Sequence, residues 1–397
     1  MPFNPLPSTQ TAVIASGPGQ LAIQQDVPVP ALAPDMVLVK TAAVAINPAD
    51  AKMLDYSAAV GAIHGYDFAG TIVALGTDAP VHLAVGDRVA GLVHGMNALL
   101  PDVGAFAEYV GATGDLLLKI PEDMSFEDAA SLGTGIATAG LGLFKELEVP
   151  GTPEKPATTA GSAFVLVCGG STATGTRAIQ MLKLAGLRPI ATCSPKNFAL
   201  VRSFGAEEVF DYTSETCAEN IRSYTKGTLA YALDCVSFAD TTQLCHGAIG
   251  RAGGRYVALE PYREKLAVRK TIVLSWLMVL TIFGREVALD GVYGREARPE
   301  DRKFGKQLFE SVQKRLDEGR FRPHPVKVSN GGWEGVMKGV EMVRNQEITM
   351  GNWMGSPNQA AIEYEKKVVG QEKAYITGGT GVPDVASHNQ VLAVDFY

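Results

Sequence analysis

Between residues 163 and about 260, short apolar runs alternate with stretches whose apolar positions recur every three or four residues. Phe164–Val167 is unbroken and apolar, as in a strand buried on both faces. After Gly169-Gly170-Ser171-Thr172-Ala173-Thr174-Gly175 the period changes. Ala178, Met181, Leu182 and Ala185 fall on one helical face, and Gly186 closes that helix. The same alternation predicts strands at Pro189–Cys193, Glu208–Phe210, Tyr231–Cys235 and Arg255–Leu259, with helices near Phe198–Phe204, Cys217–Lys226 and Thr241–Ile249. Strands separated by helices in this rhythm predict an α/β fold with a doubly wound parallel sheet.

The N-terminal third has a different rhythm. Val37–Val44, Phe68–Leu75, the Gly86-Asp87-Arg88-Val89 turn with its strand, and Ala105–Val110 are short apolar segments punctuated by glycine and proline. They predict a compact, barrel-like β domain. Ser125–Leu147 returns to helical spacing, and residues 150–162 (PGTPEKPATTAGS) read as a linker or surface loop. The expected division is residues 1–160 for the β-rich domain and 161–304 for the parallel sheet. Beyond Lys270 the pattern weakens, with helices expected at Lys306–Glu318 and Trp333–Asn345.

The turn 169–175 carries the first chemistry. Strand, glycine turn and helix in that order begin a nucleotide-binding βαβ unit. Glycines let the backbone approach a pyrophosphate, and the helix N-terminus offers unpaired N–H groups with a partial positive charge. The hydroxyls of Ser171, Thr172 and Thr174 would add donors. At the end of the next strand, where an NAD-preferring protein carries an acid for the ribose 2′-OH, stand Ser194 and Lys196, with no acid until Glu207. A hydroxyl and a lysine can receive a 2′-phosphate, and Tyr212 after the third strand can add a phenolic donor. That favours NADPH; the plainer reading of Ser194-Pro195-Lys196-Asn197 is a helix cap beside a solvated lysine.

Composition narrows the classes. The 397 residues, 46% hydrophobic and 19% charged, suit a soluble globular chain, and a net charge of −7 without a basic patch argues against a nucleic-acid partner. The five cysteines form no CxxC and the six histidines no pair at ligand spacing, so the expectation is reduced thiols, a cytoplasmic setting and no metal site. Thr271–Phe283, the longest apolar stretch, falls short of the roughly 20 residues that span a bilayer. The start, MPFNPLPSTQ, lacks the features of a signal peptide. No membrane partner is expected.

Ala45-Ile46-Asn47-Pro48-Ala49-Asp50, Gly65-Tyr66-Asp67-Phe68-Ala69-Gly70 and Gly86-Asp87-Arg88-Val89, in this order and spacing, resemble the medium-chain dehydrogenase/reductase superfamily, in particular its zinc-free quinone oxidoreductase branch. Asn47–Met53, Gly169–Thr174, Ala191–Pro195, Gly205–Tyr212, Tyr231–Cys235 and Ile249–Gly254 are similar to the fungal trans-acting enoyl reductases that serve polyketide synthases, including polyketide–nonribosomal peptide hybrids. The resemblance covers residues 11 to about 348. It implies a Rossmann NADPH domain beside a GroES-like catalytic domain, the latter completed by residues from about 305 onward.

The superfamily's zinc enzymes have a cysteine near Asn47–Lys52 and a His-Glu pair near Tyr66-Asp67, and this chain has neither. Hydride addition to an activated C=C needs no such Lewis acid, because a thioester carbonyl already delocalises the developing charge. The resemblance further implies that Ala49, Asp50, Ala51 and Lys52 lie on the nicotinamide side of the cofactor, with Lys52 stabilising the enolate oxygen or donating a proton. It sets Ser171, Thr172, Ala173 and Thr174 at the pyrophosphate, Ser194, Pro195, Lys196, Asn197 and Tyr212 at the 2′-phosphate, and Leu259-Glu260 beside the cofactor through backbone contacts. Thr138 would face the substrate channel, and Val279, Leu280, Thr281, Ile282 and Phe283 would line an acyl pocket. Each has a plainer reading: Lys52 a solvated lysine, Thr138 a small helix-packing residue, Val279–Phe283 ordinary core.

Two features depart from that family. Ile348-Thr349-Met350-Gly351 leads into NWMGSPNQAAIEYEKKVVG, and Gln371-Glu372-Lys373-Ala374-Tyr375-Ile376 resembles the family ending displaced. The expectation is an insertion of roughly 20 residues, then an unrelated, mobile tail, with residues 350–397 atypical. The bulky run around Trp276 lies where many relatives pair sheet edges, which favours a monomer. Three functions stay open from sequence: an enoyl reductase acting in trans on a polyketide synthase, a stand-alone quinone or enone reductase, and a non-catalytic NADPH sensor.

Overall fold

The structure is a computed structural model, and it describes residues 6–158, 162–262, 264–266, 269–329 and 331–347, together with the backbone of 391–394. β1 (Thr9–Gly17) and β2 (Gln20–Pro28) form an antiparallel pair. β3 (Met36–Ile46) is the long central strand of the N-terminal unit, and α1 (Pro48–Tyr56) starts almost at its end. β4 (Asp67–Leu75), β5 (Arg88–Leu92), β6 (Tyr109–Thr113) and β7 (Leu117–Lys119) then pair antiparallel: β3 with β4 and β6, β4 with β5, β5 with β7.

The strand expected at Ala105–Val110 begins only at Tyr109. Ala105–Ala107 instead threads between β1 and the 63–65 loop: Phe106 N–H donates to His64 O at 2.9 Å, and Val13 N–H donates to Phe106 O at 2.8 Å. With bonds on both sides to different segments, this stretch joins no single ladder.

The helical stretch expected over Ser125–Leu147 divides into α2 (Phe126–Ala130), α3 (Leu132–Gly140) and a π-turn at Leu141–Glu146. Ser125 caps α2 by accepting from Asp128 N–H at 3.0 Å. At the break, the fully buried guanidinium of Arg177 donates to the Ser131 carbonyl and to Ser131 Oγ. A carbonyl so engaged is drawn away from the helical ladder.

The parallel sheet then forms as expected. β8 (Phe164–Cys168), α4 (Ala173–Leu184), β9 (Arg188–Cys193), α5 (Phe198–Ser203) and β10 (Glu208–Asp211) make its first half. α6 (Cys217–Tyr224), β11 (Tyr231–Asp234), α7 (Ala239–Ala248), β12 (Gly254–Ala258) and β13 (Ile272–Trp276) make the second. The spatial order is β10-β9-β8-β11-β12-β13, every neighbouring pair parallel. Numbered by appearance, that is the 3-2-1-4-5-6 order of a doubly wound dinucleotide-binding sheet, whose strand order reverses between β8 and β11. The connections leaving those two strands diverge, and the crevice beyond their C-terminal ends is where such sheets take ligands.

The chain returns to the N-terminal unit through α8 (Pro299–Asp317). Arg302 Nε donates to Asp115 Oδ1 at 2.8 Å, and Gln313 exchanges bonds of 2.7 and 3.2 Å with the backbone of Lys119. β14 (Lys327–Ser329) and α9 (Gly332–Arg344) follow, α9 lying against α1 with Arg344 Nη2 2.8 Å from Asp55 Oδ1. β15 (Val391–Val394) sits between β14 and β3, antiparallel to the first and parallel to the second. Part of the tail expected to be mobile is therefore a sheet strand, while the insertion after Gly351 and the Gln371–Ile376 stretch lie outside the described residues.

One apolar core joins the two units. It runs from Ala69 and Leu92 on the antiparallel sheet, through Ile136 and Leu143, to Val167 and Leu233 on the parallel sheet. All five cysteines are buried and free. Among the described residues no helix is long and apolar enough to cross a membrane.

Candidate active site

The phosphate turn leaves β8 at the reversal point of the sheet. Gly169 has φ +79°, and a Cβ there would stand 2.7 Å from Val236 on the β11 side. Only glycine combines that backbone conformation with so close an approach. Thr172 is the N-cap of α4: its Oγ1 accepts Gly175 N–H at 2.9 Å. That bond uses the Thr172 oxygen as an acceptor and fixes the hydroxyl, expected to meet phosphate, at the helix N-terminus. Ala173 and Thr174 occupy the first helical turn, where N–H groups have no intrahelical acceptor, and Ser171 and Thr174 are half-buried at the same end. Tight turn, helix N-terminus and two hydroxyls fit a dinucleotide pyrophosphate.

At the ends of β9 and β10, Ser194 Oγ lies 3.4 Å from Tyr212 Oη. Pro195 and Lys196 are exposed beside them, and Asn197 is half-buried in the short turn that starts α5. One acid stands near: Asp211, in register with Cys193, accepts the Thr213 amide and hydroxyl at 2.9 and 2.7 Å. Glu207 lies at the other end of the strand pair, its Oε2 accepting from Arg188 Nε at 2.9 Å. The Ser194–Tyr212 side therefore offers two hydroxyls and one lysine, with the Asp211 carboxylate turned to Thr213.

From the N-terminal unit, α1 brings Lys52 to the residues that follow β12. Asp50, expected at the nicotinamide, is wholly buried, and its Oδ2 accepts Asn47 N–H at 2.6 Å at the head of α1. Burial holds its carboxyl well above the usual range. Ala51 is also buried and Ala49 half-buried, so among the four only Lys52 brings a polar side-chain group to the open. The ammonium of Lys52 pairs with Glu260 just past the end of β12, both side chains about two-fifths exposed (40% and 36%). Sequence reading assigned Glu260 a backbone contact; in the structure its carboxylate is the partner of Lys52. Leu259 N–H donates to Ser237 Oγ at 2.9 Å.

Beneath Lys52 and Tyr66 lies a buried polar layer. Asn47 Nδ2 donates to Asp67 Oδ2 at 3.0 Å, and Asp67 Oδ1 accepts the Thr134 amide and hydroxyl, each at 2.7 Å. His64 Nε2 lies 3.0 Å from Asp50 O, and burial lowers its pKa to about 4, so the ring is neutral. The positions that hold zinc ligands in other members of the superfamily are here committed to holding α1 against β4 and α3. Among the described residues no group of three His, Cys, Asp or Glu side chains could bind a metal.

Thr138 is buried in α3, which packs against the 279–283 turn. Leu280, Ile282 and Phe283 are buried in the shared core, Phe283 lying parallel to His94 with centroids 6.4 Å apart, and Val279 packs on that core half-buried. A cavity of about 130 Å³ is lined by Leu141, Trp276, Met278, Thr281, Arg295 and Arg298, among others. Of the expected substrate residues, Thr281 alone reaches it.

Sequence reasoning missed Tyr293. Its Oη donates to Glu260 Oε2 at 3.0 Å, and its ring lies 5.2 Å from Lys52 Nζ. It also missed Asp234, which shapes the turn after β11. No periodicity marks either residue: Tyr293 acts through Glu260 on another chain segment, and Asp234 holds its own turn through the amides of Val236 and Ser237.

Against known proteins, residues 33–122 match the family model of the alcohol dehydrogenase GroES-like domain, and residues 173–285 that of the zinc-binding dehydrogenases. The chain is 66% identical over 87% of its length to the trans-enoyl reductase caaB of Aspergillus niger, covering 96% of that protein. It is 61% identical to the trans-enoyl reductase traG of Penicillium crustosum, over 87% of this chain and 96% of the relative. Among solved structures the CurK enoyl reductase superposes with a TM-score of 0.66 at 18% identity, over 85% of this chain and 96% of that one. That last likeness speaks for the fold, and the two fungal relatives speak for the family. The chain belongs to the trans-enoyl reductases of the medium-chain dehydrogenase/reductase superfamily, oxidoreductases acting on CH–CH groups.

Proposed function

We propose that this enzyme reduces, with NADPH, the α,β-double bond of polyketide thioesters carried by a partner polyketide synthase or polyketide–nonribosomal peptide hybrid, acting in trans in the cytoplasm as a monomer. The observation that carries the reading is the Lys52 ammonium paired with Glu260 just past the C-terminal end of β12, beside the strand ends where such a sheet takes its ligand. When bound, NADPH supplies the hydride that goes to Cβ of the substrate. The chain's part is to hold and orient. The N-terminus of α4 with Ser171 and Thr174 would take the pyrophosphate, and Ser194, Lys196 and Tyr212 would take the 2′-phosphate, the group that separates NADPH from NADH. Lys52 would face the thioester oxygen, where negative charge develops as Cβ is reduced. A fixed cation at that point stabilises the transition state more than the ground state. A proton then reaches Cα, from Lys52 or from water at the open side of the crevice. Trp276, at the end of the edge strand β13, is covered by the Arg295 guanidinium 4.3 Å from its ring, which supports a monomer.

The test is NADPH oxidation at 340 nm with an α,β-unsaturated acyl thioester, free and on a carrier domain, against a free quinone. Thioester turnover that falls by about 100-fold or more in Lys52→Ala is the expected result, the usual size of an acid–base contribution. Turnover of quinone alone would replace this reading with a detoxifying reductase. NADPH binding without turnover of any of the three would point to a sensor.

A further inference from the structure

We propose that Tyr293 is a positioning residue that, with the Glu260 carboxylate, sets where the Lys52 ammonium stands; this rests on the catalytic reading of Lys52. Three chain segments meet here: α1 from the antiparallel unit, the residue pair after β12, and the turn Gly291–Tyr293 that precedes α8. Lys52 Nζ and Tyr293 Oη are both bound to the same oxygen, Glu260 Oε2, the latter at 3.0 Å. The Tyr293 ring lies 5.2 Å from Lys52 Nζ, within reach of a cation–π attraction.

A partly exposed Lys–Glu pair alone holds little, because a lysine has four rotatable bonds to freeze and water screens its charge. The second anchor supplies the restraint. The tyrosine hydroxyl fixes which way the carboxylate turns, and the ring fixes where the ammonium can rest. The ring is itself braced, edge-on to Tyr56 at 5.0 Å and to Trp276 at 5.7 Å, and only 7% of Tyr293 is exposed. Gly291 permits the approach: its φ is +54°, and a Cβ there would lie 2.4 Å from Tyr56 Oη. The turn is built to bring Tyr293 close.

The experiment compares wild type, Tyr293→Phe, Tyr293→Leu and Glu260→Gln in two ways. In the enzyme without cofactor or substrate, labelling of Lys52 by an amine-acylating reagent is followed by peptide mass spectrometry, with Lys119 as the internal control. Lys52 should label about fivefold faster in Tyr293→Leu and Glu260→Gln, and Lys119 unchanged. Kinetically, Tyr293→Phe should lower kcat for the thioester about fivefold with KM for NADPH unchanged. The same change in a Lys52→Ala background should then have no effect. Unchanged labelling of Lys52 in both Tyr293→Leu and Glu260→Gln would overturn the proposal, as would an equal loss in the two backgrounds. A variant with a melting temperature below wild type is read only through the ratio of Lys52 to Lys119 labelling. If Lys52→Ala kept full turnover, the catalytic reading of Lys52 would fail, while the labelling would still decide the positioning.

Discussion

Replacing Asp234 by alanine should cost the fold about 2–3 kcal/mol, and replacing it by asparagine about 1 kcal/mol. Asp234 closes β11 and is fully buried. Its Oδ1 accepts Val236 N–H at 3.0 Å and Ser237 N–H at 2.9 Å, and its Oδ2 accepts Thr241 Oγ1 at 2.7 Å and Tyr256 Oη at 2.9 Å. In the alanine variant the two hydroxyls keep partners, since Thr241 also bonds Phe238 O at 3.0 Å and Tyr256 lies 3.0 Å from Thr242 Oγ1. The two amides lose the acceptor they share, and because Val236 and Ser237 are half-buried each costs about 1 kcal/mol, the low end of the penalty for an unpaired donor. Asparagine retains the carbonyl for both amides and turns an NH₂ toward hydroxyl oxygens that can accept it. Urea unfolding at neutral pH, followed by circular dichroism, measures both variants against wild type. The turn also carries Ser237, at φ +64°, whose Oγ accepts Leu259 N–H at the cofactor side, so Asp234→Ala should weaken NADPH binding as well. Equal losses in the two variants, or an alanine cost under about 1 kcal/mol, would refute the argument that the amides are what the carboxylate serves.

Acid should unfold the protein through its histidines: burial lowers His64 and His94 to about 4 and His324 to about 3, so their stabilising neutral state, fully present above about 6.5, is lost as pH falls toward 4. Each contributes up to about 1.4 kcal/mol per pH unit in that window, and a urea midpoint that stays flat from pH 7 to 5 would contradict it. Gly175→Ala should raise the NADPH Kd about tenfold, because a Cβ there would lie 2.3 Å from Gly169 O and must push the phosphate turn aside; fluorescence titration with an unchanged Kd would show the turn has slack. Lys196→Ala and Tyr212→Phe should each raise the NADPH Kd about tenfold while leaving NADH unaffected, and equal changes for both cofactors would remove these residues from the 2′-phosphate.

The parallel sheet was legible because its strands are short, apolar and separated by helices with their own period. Phe164–Val167 and the glycine turn needed no tertiary information. The N-terminal unit was readable as β-rich but not in its pairing: β2 is largely polar and exposed, and Ala105–Ala107 divides its bonds between two neighbours. Lys52 stood in a recognisable motif, whereas its contact with Glu260 joins segments about 200 residues apart and leaves no mark in local spacing. Tyr293 sits in a single turn of a region with weak periodicity. The Thr172 hydroxyl was read as a phosphate donor, and, being on the residue ahead of a helix, it also caps that helix. Local rules pointed to its position and not to its partner.

The helix that carries Lys52 is made early in synthesis, but its packing partner α9 and the Arg344–Asp55 pair arrive almost 290 residues later. The parallel sheet, by contrast, is one uninterrupted segment and has all its strands once Trp276 has left the ribosome. The order of translation is therefore not the order of maturation: the dinucleotide-binding half can assemble while the half bearing the lysine waits for its last helix. A ribosome-bound chain halted before Gly332 would hold its parallel sheet but lack the support under α1. On this order the strands of the parallel sheet are complete before the support for the lysine is, and a chain ended early keeps the first and lacks the second.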